Sequence, residues 1–320
     1  MKIVFHGANA AAFLPGFAEL LESRHDIAAL SDTLQLPGEP AAFQAADVVI
    51  GVKLTRDHPP ISAQLYQVPG AGYDGIDLSV LPSAAALCNC FGHEGAIAEY
   101  VMAALLARHV PLVEADAQLR QGNWHYWAGG PDGLRTELGA QSIGIVGYGH
   151  IGKAIAARAS AFGMTVHVAN RSPVADSRLA ATYGLAALPD MFGQVDIVIN
   201  TLPLTSDTRG LIGAAALSAM KPQAIVMNVG RGAVIDEDAL YDALSTNRIG
   251  GAILDTWYVY PTPDAPNPMP ANRPFHLLPN VTMTPHMSGW TEGTIARRRR
   301  AMAENINRLT AQRDLINRIR

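Results

Sequence analysis

Residues 142–152 read SIGIVGYGHIG, and this stretch gives the strongest indication of the fold in this sequence. Its β-branched start predicts a strand, and Gly147, Gly149 and Gly152 then form the pattern G-x-G-x-x-G. The alanine-rich residues 153–158 predict a helix directly after it. In this strand-turn-helix context the first glycine permits the turn, the second admits a pyrophosphate, and the third lets helix and strand pack closely. The pattern therefore favours a dinucleotide-binding turn over a glycine turn that binds nothing.

Apolar runs on both sides of this turn extend the same α/β pattern. After the turn they predict strands at 165–169, 196–200, 224–228 and 251–254, with helices between, which is typical of a doubly wound parallel sheet. Before it, residues 1–90 alternate short strands with helical patterns. One such helical pattern covers residues 13–21. We expect a second, smaller α/β unit there.

Length and composition limit the classes of function. The 320 residues suit two domains, and 49% hydrophobic with 16% charged residues is typical of a globular protein. A net charge of −4 gives no reason to expect nucleic acid or an anionic membrane as a partner. The start of the chain has no apolar signal-peptide span, no run reaches membrane-spanning length, and there are only two cysteines. We expect a cytoplasmic protein with free thiols.

The residues after the second strand of the doubly wound sheet indicate which dinucleotide binds. An enzyme that uses NAD places an acidic residue there, on the ribose 2′-hydroxyl. This chain has Asn170, Arg171 and Ser172 instead. An uncharged side chain does not repel a 2′-phosphate, and Arg171 can form a charge-assisted contact with it. The sequence therefore predicts a preference for NADP(H), with NAD(H) possible. The alternative is a solvated loop arginine.

Three side chains with reactive chemistry follow later predicted strands. Arg231 lies between two glycines, Asp255 directly follows the 251–254 strand, and His286 follows another short strand. Ligands of open α/β sheets bind at the carboxyl ends of the strands. A guanidinium there suits a carboxylate or a polarised carbonyl oxygen, and a histidine serves as acid or base near neutral pH. Each could be structural alone, but together with a dinucleotide motif they favour catalysis.

Two other patterns carry less information. The glycine-rich residues 70–77 could turn backbone N–H groups toward an anion, although an ordinary strand-to-helix turn is the favoured interpretation. His93-Glu94 resembles the start of a zinc motif, but the second histidine position is Ile97, so we expect no metal. The aromatic residues 124–131 predict an arm that packs on another surface, or else a cluster folded over its own domain.

Several motifs in the same order resemble the D-2-hydroxyacid dehydrogenase family. They are GYGHIG at 147–152, LPLTSDTRGLI at 202–212, NVGRGAVIDEDAL at 228–240 and TPH at 284–286. The resemblance covers nearly the whole chain. It implies a doubly wound (Rossmann) cofactor domain at 99–288, inserted into a flavodoxin-like substrate domain made of 1–98 and 289–320. It also implies a homodimer and an active site between the domains.

The resemblance also implies roles for single residues. Arg231 would hold the substrate carboxylate and polarise the carbonyl, and His286 would donate the proton. The backbone of Ala71 and Gly72 would grip the carboxylate, which makes the 70–77 turn a substrate-binding element. Asp255 and Ser288 match positions that hold the carboxamide of the cofactor. The cofactor positions as a set are Gly147, Tyr148, Gly149, His150, Ile151, Gly152, Asn170, Arg171, Ser172, Leu202, Pro203, Val229, Asp255 and Ser288.

One position departs from the family. Most members have a glutamate that pairs with the catalytic histidine and raises its pKa, and here that position is Tyr260. The leading hypothesis is an NADPH-dependent reductase of small 2-oxo acids such as glyoxylate or hydroxypyruvate. The first alternative is a dehydrogenase of a small anion such as formate, which needs no proton donor. The second is a silent dinucleotide-binding regulator. The sequence assigns no role to His93, Glu94, Trp124 or Tyr126.

Overall fold

The structure is a computed structural model that describes residues 1–320, and the chain forms two compact units. The first comprises Met1–His93, Pro261–Asn267 and Trp290–Arg320, and the second comprises Glu94–Tyr260 and Pro268–Gly289. The domain limits drawn from the resemblance, 98/99 and 288/289, stay predictions.

The first unit is built on a five-stranded sheet. Its strands are β1 (Lys2–His6), β2 (Asp26–Leu30), β3 (Val48–Gly51), β4 (Leu65–Gln67) and β5 (Ala86–Cys88). They lie in the order β2-β1-β3-β4-β5, and all pairs are parallel. Every residue of β3, β4 and β5 is buried, as expected for a parallel sheet covered on both faces. Two short helices are α1 (Gly7–Ala11) and α2 (Glu39–Gln44).

The helix predicted at 13–21 is wrong. The chain leaves α1 at Ala11, and only one 3₁₀ turn, Ala18–Leu20, follows. Pro15 and Gly16 interrupt the segment, and Gly16 has a φ of +72°. The apolar residues of this pattern are buried nonetheless, because Phe13 and Phe17 pack in the core.

Cys88 and Cys90 lie in the same core and are not joined in a disulfide. Burial raises the pKa of Cys88 to about 11 and that of Cys90 to about 12. The Cys90 sulfur accepts a hydrogen bond from the Gln67 side chain at 3.4 Å.

The second unit is built on a seven-stranded parallel sheet. Its strands are β6 (Ser142–Val146), β7 (Thr165–Asn170), β8 (Ala181–Gly184), β9 (Ile197–Asn200), β10 (Ile225–Asn228), β11 (Gly251–Leu254) and β12 (Val281–Met283). The order is β12-β11-β10-β9-β6-β7-β8, so the chain moves outward in both directions from β6. The four predicted strands agree with β7, β9, β10 and β11 to within one residue at each end. The doubly wound sheet is confirmed.

The second unit contains six α-helices. They are α3 (Glu94–His109), α4 (Leu112–Leu119), α5 (His150–Ala161), α6 (Leu188–Gln194), α7 (Ala214–Ala219) and α8 (Glu237–Ser245). The α3 helix packs against α5 in one core cluster, and α6, α7 and α8 form the other. No single helix is long and apolar enough to cross a membrane, although α3 and α4, bent by 45°, pass that test as a pair.

The chain ends with α9 (Glu292–Thr310), which belongs to the first unit. The Thr291 hydroxyl accepts the Thr294 N–H at 3.2 Å and caps its start. Asn305 is buried and donates to Gln67 of β4 at 2.8 Å. Arg297 of this helix donates a hydrogen bond to the backbone carbonyl of Gly92 at 2.7 Å.

Candidate active site

The glycine turn between β6 and α5 has the geometry that its sequence predicts. Gly147 has a φ of +99°, and its N–H donates to the Ala169 carbonyl at 2.8 Å. A Cβ on Gly152 would clash with the Gly147 carbonyl oxygen, so helix and strand approach as closely as only glycine allows. A Cβ on Gly149 would meet no atom within 4 Å, which leaves open space beside the start of α5. A helix N-terminus facing such a space fits a pyrophosphate.

The turn lies at the topological switch point of the sheet, between β6 and β9. After β9, Thr201 donates its hydroxyl to the carbonyl of Gly147 at 3.0 Å. The neighbouring Leu202 is buried, and its Cδ2 would lie 3.0 Å from a Cβ on Gly147. The Pro203 carbonyl accepts from Thr208 at 2.7 Å, and Val229 is buried after β10. These predicted cofactor positions follow the carboxyl ends of β9, which borders the switch point, and of its neighbour β10.

The end of β7 also lies against the glycine turn. The Tyr148 N–H donates to the side-chain oxygen of Asn170 at 3.1 Å, and the Asn170 amide donates to the Ser172 carbonyl at 3.0 Å. Arg171 is exposed between them, and its guanidinium forms no ion pair. The open space beside Gly149 and the uncharged end of β7 together fit a nicotinamide dinucleotide.

Arg231 follows β10 and is fixed by its backbone. Its carbonyl accepts from the Asn228 side chain at 3.1 Å, and the Asn228 Oδ1 accepts from Gly230 N–H at 3.1 Å. A Cβ on Gly232 would clash with the Trp257 carbonyl, so the Arg231 turn packs directly on the segment after β11. The guanidinium is half-buried and donates to the Gly230 carbonyl at 3.0 Å. A guanidinium at the carboxyl edge of the sheet suits a carboxylate ligand.

The sequence analysis missed a polar pair beneath this turn. Asn200 and Asn228 end the neighbouring strands β9 and β10, both are buried, and their side chains are 2.9 Å apart. Asn200 also accepts the Leu202 N–H at 3.1 Å. An asparagine at the end of two consecutive strands is the sequence signal that could have identified the pair.

Asp255 holds the loop that carries His286. Asp255 is fully buried, and its Oδ1 accepts from the Thr284 hydroxyl at 2.6 Å and from the Met287 N–H at 2.8 Å. Its Oδ2 accepts from the Ser288 N–H at 3.0 Å. His286 lies inside this anchored segment with a φ of +57°, in the left-handed region. The carboxylate therefore positions the histidine loop. Contact of Asp255 and Ser288 with a carboxamide stays a prediction.

Tyr260 contacts the imidazole directly. Its hydroxyl oxygen is 2.9 Å from the His286 Nδ1 and accepts the Trp257 N–H at 3.0 Å. The Trp257 indole donates to the Thr284 carbonyl at 2.7 Å. Tyr100 of α3 shares a hydrogen bond of 2.7 Å with the Thr284 hydroxyl, and burial raises the pKa of its phenol. Trp257 and Tyr100 were not singled out from the sequence.

The second unit thus brings Arg231, Asp255, Tyr260 and His286 to the carboxyl edge of β10, β11 and β12. Ala71 and Gly72 belong to the first unit. The Ala71 carbonyl there accepts from the Asn89 side chain at 2.7 Å.

Four residues were left without a role. His93 is buried at the end of the first segment of the first unit, and Glu94 begins α3. Trp124 is exposed in the loop that follows α4, and Tyr126 is half-buried there.

A doubly wound sheet with a glycine turn and open space at its switch point defines a dinucleotide-binding α/β protein. Residues 102–288 match the family model described as the NAD binding domain of D-isomer specific 2-hydroxyacid dehydrogenase. The chain belongs to the D-isomer specific 2-hydroxyacid dehydrogenase family.

Similar proteins agree with this assignment. A glyoxylate/hydroxypyruvate reductase B from Pectobacterium carotovorum is 37% identical over 201 residues, covering 62% of this chain and 60% of the relative. The chain therefore spans about three fifths of the length of the first curated relatives that it matches.

Two solved structures share the fold over the whole chain. An acyclic imino acid reductase in complex with NADPH and D-Arg is 26% identical, with a TM-score of 0.80 and 100% of both chains covered. An NADPH-dependent glyoxylate/hydroxypyruvate reductase from Sinorhizobium meliloti, in complex with NADP and malonate, is 26% identical. Its TM-score is 0.78, with 99% of this chain and 96% of that chain covered.

Proposed function

We propose that this protein is an NADPH-dependent reductase of small 2-oxo acids of the glyoxylate or hydroxypyruvate type. The supporting observation is the cluster at one sheet edge of a half-buried guanidinium, Arg231, and an imidazole held by a phenol, His286 with Tyr260. A reductase of a 2-oxo acid needs one cation for the carboxylate and one proton donor for the oxygen. The relatives named as glyoxylate/hydroxypyruvate reductases support this substrate class.

The cofactor is assigned to the turn at 147–152, to residues 170–172, and to Leu202, Pro203 and Val229. When bound, the nicotinamide supplies the hydride. The open space at Gly149 and the start of α5 suit the pyrophosphate. Arg171, exposed and without an ion pair, suits a 2′-phosphate. Both solved neighbours described above contain NADPH or NADP, which supports the same preference here.

Arg231 is proposed to bind the carboxylate and to polarise the 2-oxo group. Its turn is fixed by Asn228 and packed on Trp257, so the guanidinium loses little freedom when it binds. The backbone amides of Ala71 and Gly72 are proposed to bind the same carboxylate.

His286 is proposed to donate the proton to the reduced oxygen from Nε2, since Tyr260 engages Nδ1. The Tyr260 oxygen can accept a hydrogen bond from a protonated Nδ1, so the pair can hold the imidazolium. A phenol carries no full charge, however, and stabilises the imidazolium less than a carboxylate would. We therefore expect the reductase activity to decline at lower pH than in a relative that has glutamate at this position.

A panel of substrates tests the proposal. Purified protein is assayed by the absorbance of NADPH and of NADH with glyoxylate, hydroxypyruvate, pyruvate and 2-oxoglutarate, and in reverse with formate and NADP⁺. We expect turnover of glyoxylate or hydroxypyruvate and a higher kcat/KM with NADPH. Turnover of formate with none of any 2-oxo acid would contradict the reductase proposal. Tight cofactor binding without any turnover would indicate a regulator.

One observation favours a second candidate, a reductase of 2-imino acids. The solved neighbour with the TM-score of 0.80 is an imino acid reductase in complex with NADPH and D-Arg. A protonated imine accepts a hydride to give an amine, so that step needs no proton donor. Assaying each 2-oxo acid with and without ammonium and identifying the product by mass spectrometry separates the two candidates.

We also propose a homodimer formed through the segment 112–134. This segment presents large apolar side chains to solvent: Leu112, Val113, Leu119, Trp124, Trp127 and Leu134. The exposed fraction reaches 86% at Val113 and 90% at Leu134. Exposed apolar side chains in such number mark an interaction surface. Light scattering should give twice the chain mass, and Trp127→Glu should lower it.

A further inference from the structure

Tyr148 contacts the loop after β7 at two separate points. Its backbone N–H donates to Asn170 at 3.1 Å, and its hydroxyl donates to Oδ2 of Asp176 at 2.7 Å. Asn170 ends β7, and Asp176 lies six residues further along the chain. The Tyr148 ring itself is buried in the core of the second unit, 9% exposed. One rigid residue of the glycine turn therefore holds both ends of the segment between them.

Asp176 is saturated by these contacts. Arg178 donates its Nε to Oδ1 at 2.9 Å and its Nη2 to Oδ2 at 2.6 Å, and its backbone N–H reaches Oδ1 at 3.1 Å. Arg178 and Tyr148 hold the pKa of Asp176 well below its usual range, so it stays ionised at neutral pH. A free carboxylate near the end of β7 would repel a 2′-phosphate. The ion pair with Arg178 offsets that negative charge. Asp176 can therefore hold the Tyr148 hydroxyl without repelling the phosphate.

The segment between the two anchors contains Arg171 and Ser172, which are both exposed. A short segment fixed at both ends has lost most of its conformational freedom before a ligand arrives. A loop without the second anchor would have to be ordered by the cofactor itself, which weakens binding.

We infer that Tyr148 is a positioning residue for the 2′-phosphate: its hydroxyl, through Asp176, holds the 170–176 segment in the form that presents Arg171 and Ser172. This inference rests on the proposed preference for NADP(H). It gives the second residue of G-x-G-x-x-G a role in choosing between the two dinucleotides, in addition to packing.

Tyr148→Phe tests the inference, because it removes the hydroxyl and keeps both the ring and the backbone contact with Asn170. The dissociation constants of NADPH and NADH are measured by fluorescence titration, without substrate. Without this hydrogen bond NADPH must order the 170–176 segment as it binds, and we expect its binding to weaken by at most roughly tenfold, the equivalent of one hydrogen bond to a charged group. The NADH constant should change much less, so the ratio of the two constants falls. Hydrogen exchange of the free protein should become faster across 171–178.

Tyr183→Phe is the matched control. It removes a phenol hydroxyl on β8 of the same unit, which lies 3.4 Å from the His167 ring. Neither the cofactor ratio nor exchange at 171–178 should change in this variant. An equal loss of both cofactors in Tyr148→Phe, or an unchanged ratio, would overturn the positioning role. A wild-type protein that binds NADH as well as NADPH would instead refute the proposed cofactor preference.

Discussion

His6 and His286 both lie at the carboxyl edge of a parallel sheet, yet their surroundings are opposite. His6 ends β1 in the first unit, is 4% exposed, and neither of its ring nitrogens has a hydrogen-bond partner. Its ring centroid lies 4.9 Å from that of Phe43 and 5.1 Å from that of His58. His286 follows β12 in the second unit, is exposed, and has its Nδ1 held by Tyr260 at 2.9 Å.

The difference shows that a place at a sheet edge does not make a histidine suitable for proton transfer. Burial, followed by the nearby His58, lowers the pKa of His6, which therefore stays neutral and packs like an aromatic ring. His286 has an anchored backbone, through Asp255, and a partner on one nitrogen. An orienting contact together with access to solvent is what distinguishes a group that can exchange protons.

The largest effect is expected from replacing the two histidines separately. His286→Gln removes the proposed proton donor and should lower kcat for 2-oxo acid reduction by about 10²–10⁴-fold. Thermal unfolding should change little, because the side chain is exposed. His6→Gln is the control: it should lower the midpoint of thermal unfolding while kcat at 25 °C stays near the wild-type value. Equal losses of kcat in both variants would show that His286 has no role in proton transfer that His6 lacks.

A smaller effect is expected from giving His286 a charged partner. Tyr260→Glu places a carboxylate beside Nδ1, which favours the imidazolium and raises the pKa of His286. The protonated form drives reduction, so activity is lost as pH rises through that pKa. The alkaline limb of kcat/KM against pH should therefore move upward in the variant. Tyr260→Phe, which removes the hydrogen bond without adding charge, should not move it upward. An alkaline limb at the same pH in wild type and Tyr260→Glu would contradict the assigned contact.

The smallest effect concerns the stability of the first unit in mild acid. Burial lowers the pKa values of both His6 and His58 below 6.5, although Asp32 and Glu39 act in the opposite direction on His6. The unfolded chain then binds more protons than the folded one, so stability is full above pH 6.5 and is lost as pH falls toward the folded-state pKa values.

His6→Phe removes one of these groups and keeps an aromatic ring. The midpoint of thermal unfolding, measured by circular dichroism, is compared at pH 7.5 and pH 5 in each protein. The drop between these two pH values should be a few degrees smaller in the variant than in wild type. An identical fall in both proteins would show that His6 does not titrate on unfolding.

Local sequence predicted much of the second unit. The strands β7, β9, β10 and β11 are short apolar runs whose limits depend on their own residues, and the turn at 147–152 depends on its own glycines. The helix expected at 13–21 failed, although Phe13 and Phe17 are buried as its pattern required. Burial was predictable there, but the backbone conformation was not, because Pro15 and Gly16 interrupt the helix.

The reactive side chains of the candidate site were predictable from the sequence. The residues that hold them in place were less predictable. Arg231, Tyr260 and His286 were recognised from motifs. The supports depend on contacts between distant segments, such as Asn200 with Asn228 and Trp257 with Thr284. No periodicity or spacing encodes such pairs. The edge strand β8 was missed for a related reason: its alternately exposed residues are not an apolar run.

The two buried thiols of the first unit give an experimental handle on its opening. Alkylation and oxidation require a thiolate, and with pKa values of about 11 and 12 almost none exists at neutral pH in the folded protein. An alkylating reagent such as iodoacetamide would therefore modify Cys88 and Cys90 only in molecules in which the five-stranded sheet has come apart. The rate of labelling, measured by mass spectrometry, therefore reports the unfolding of that unit alone.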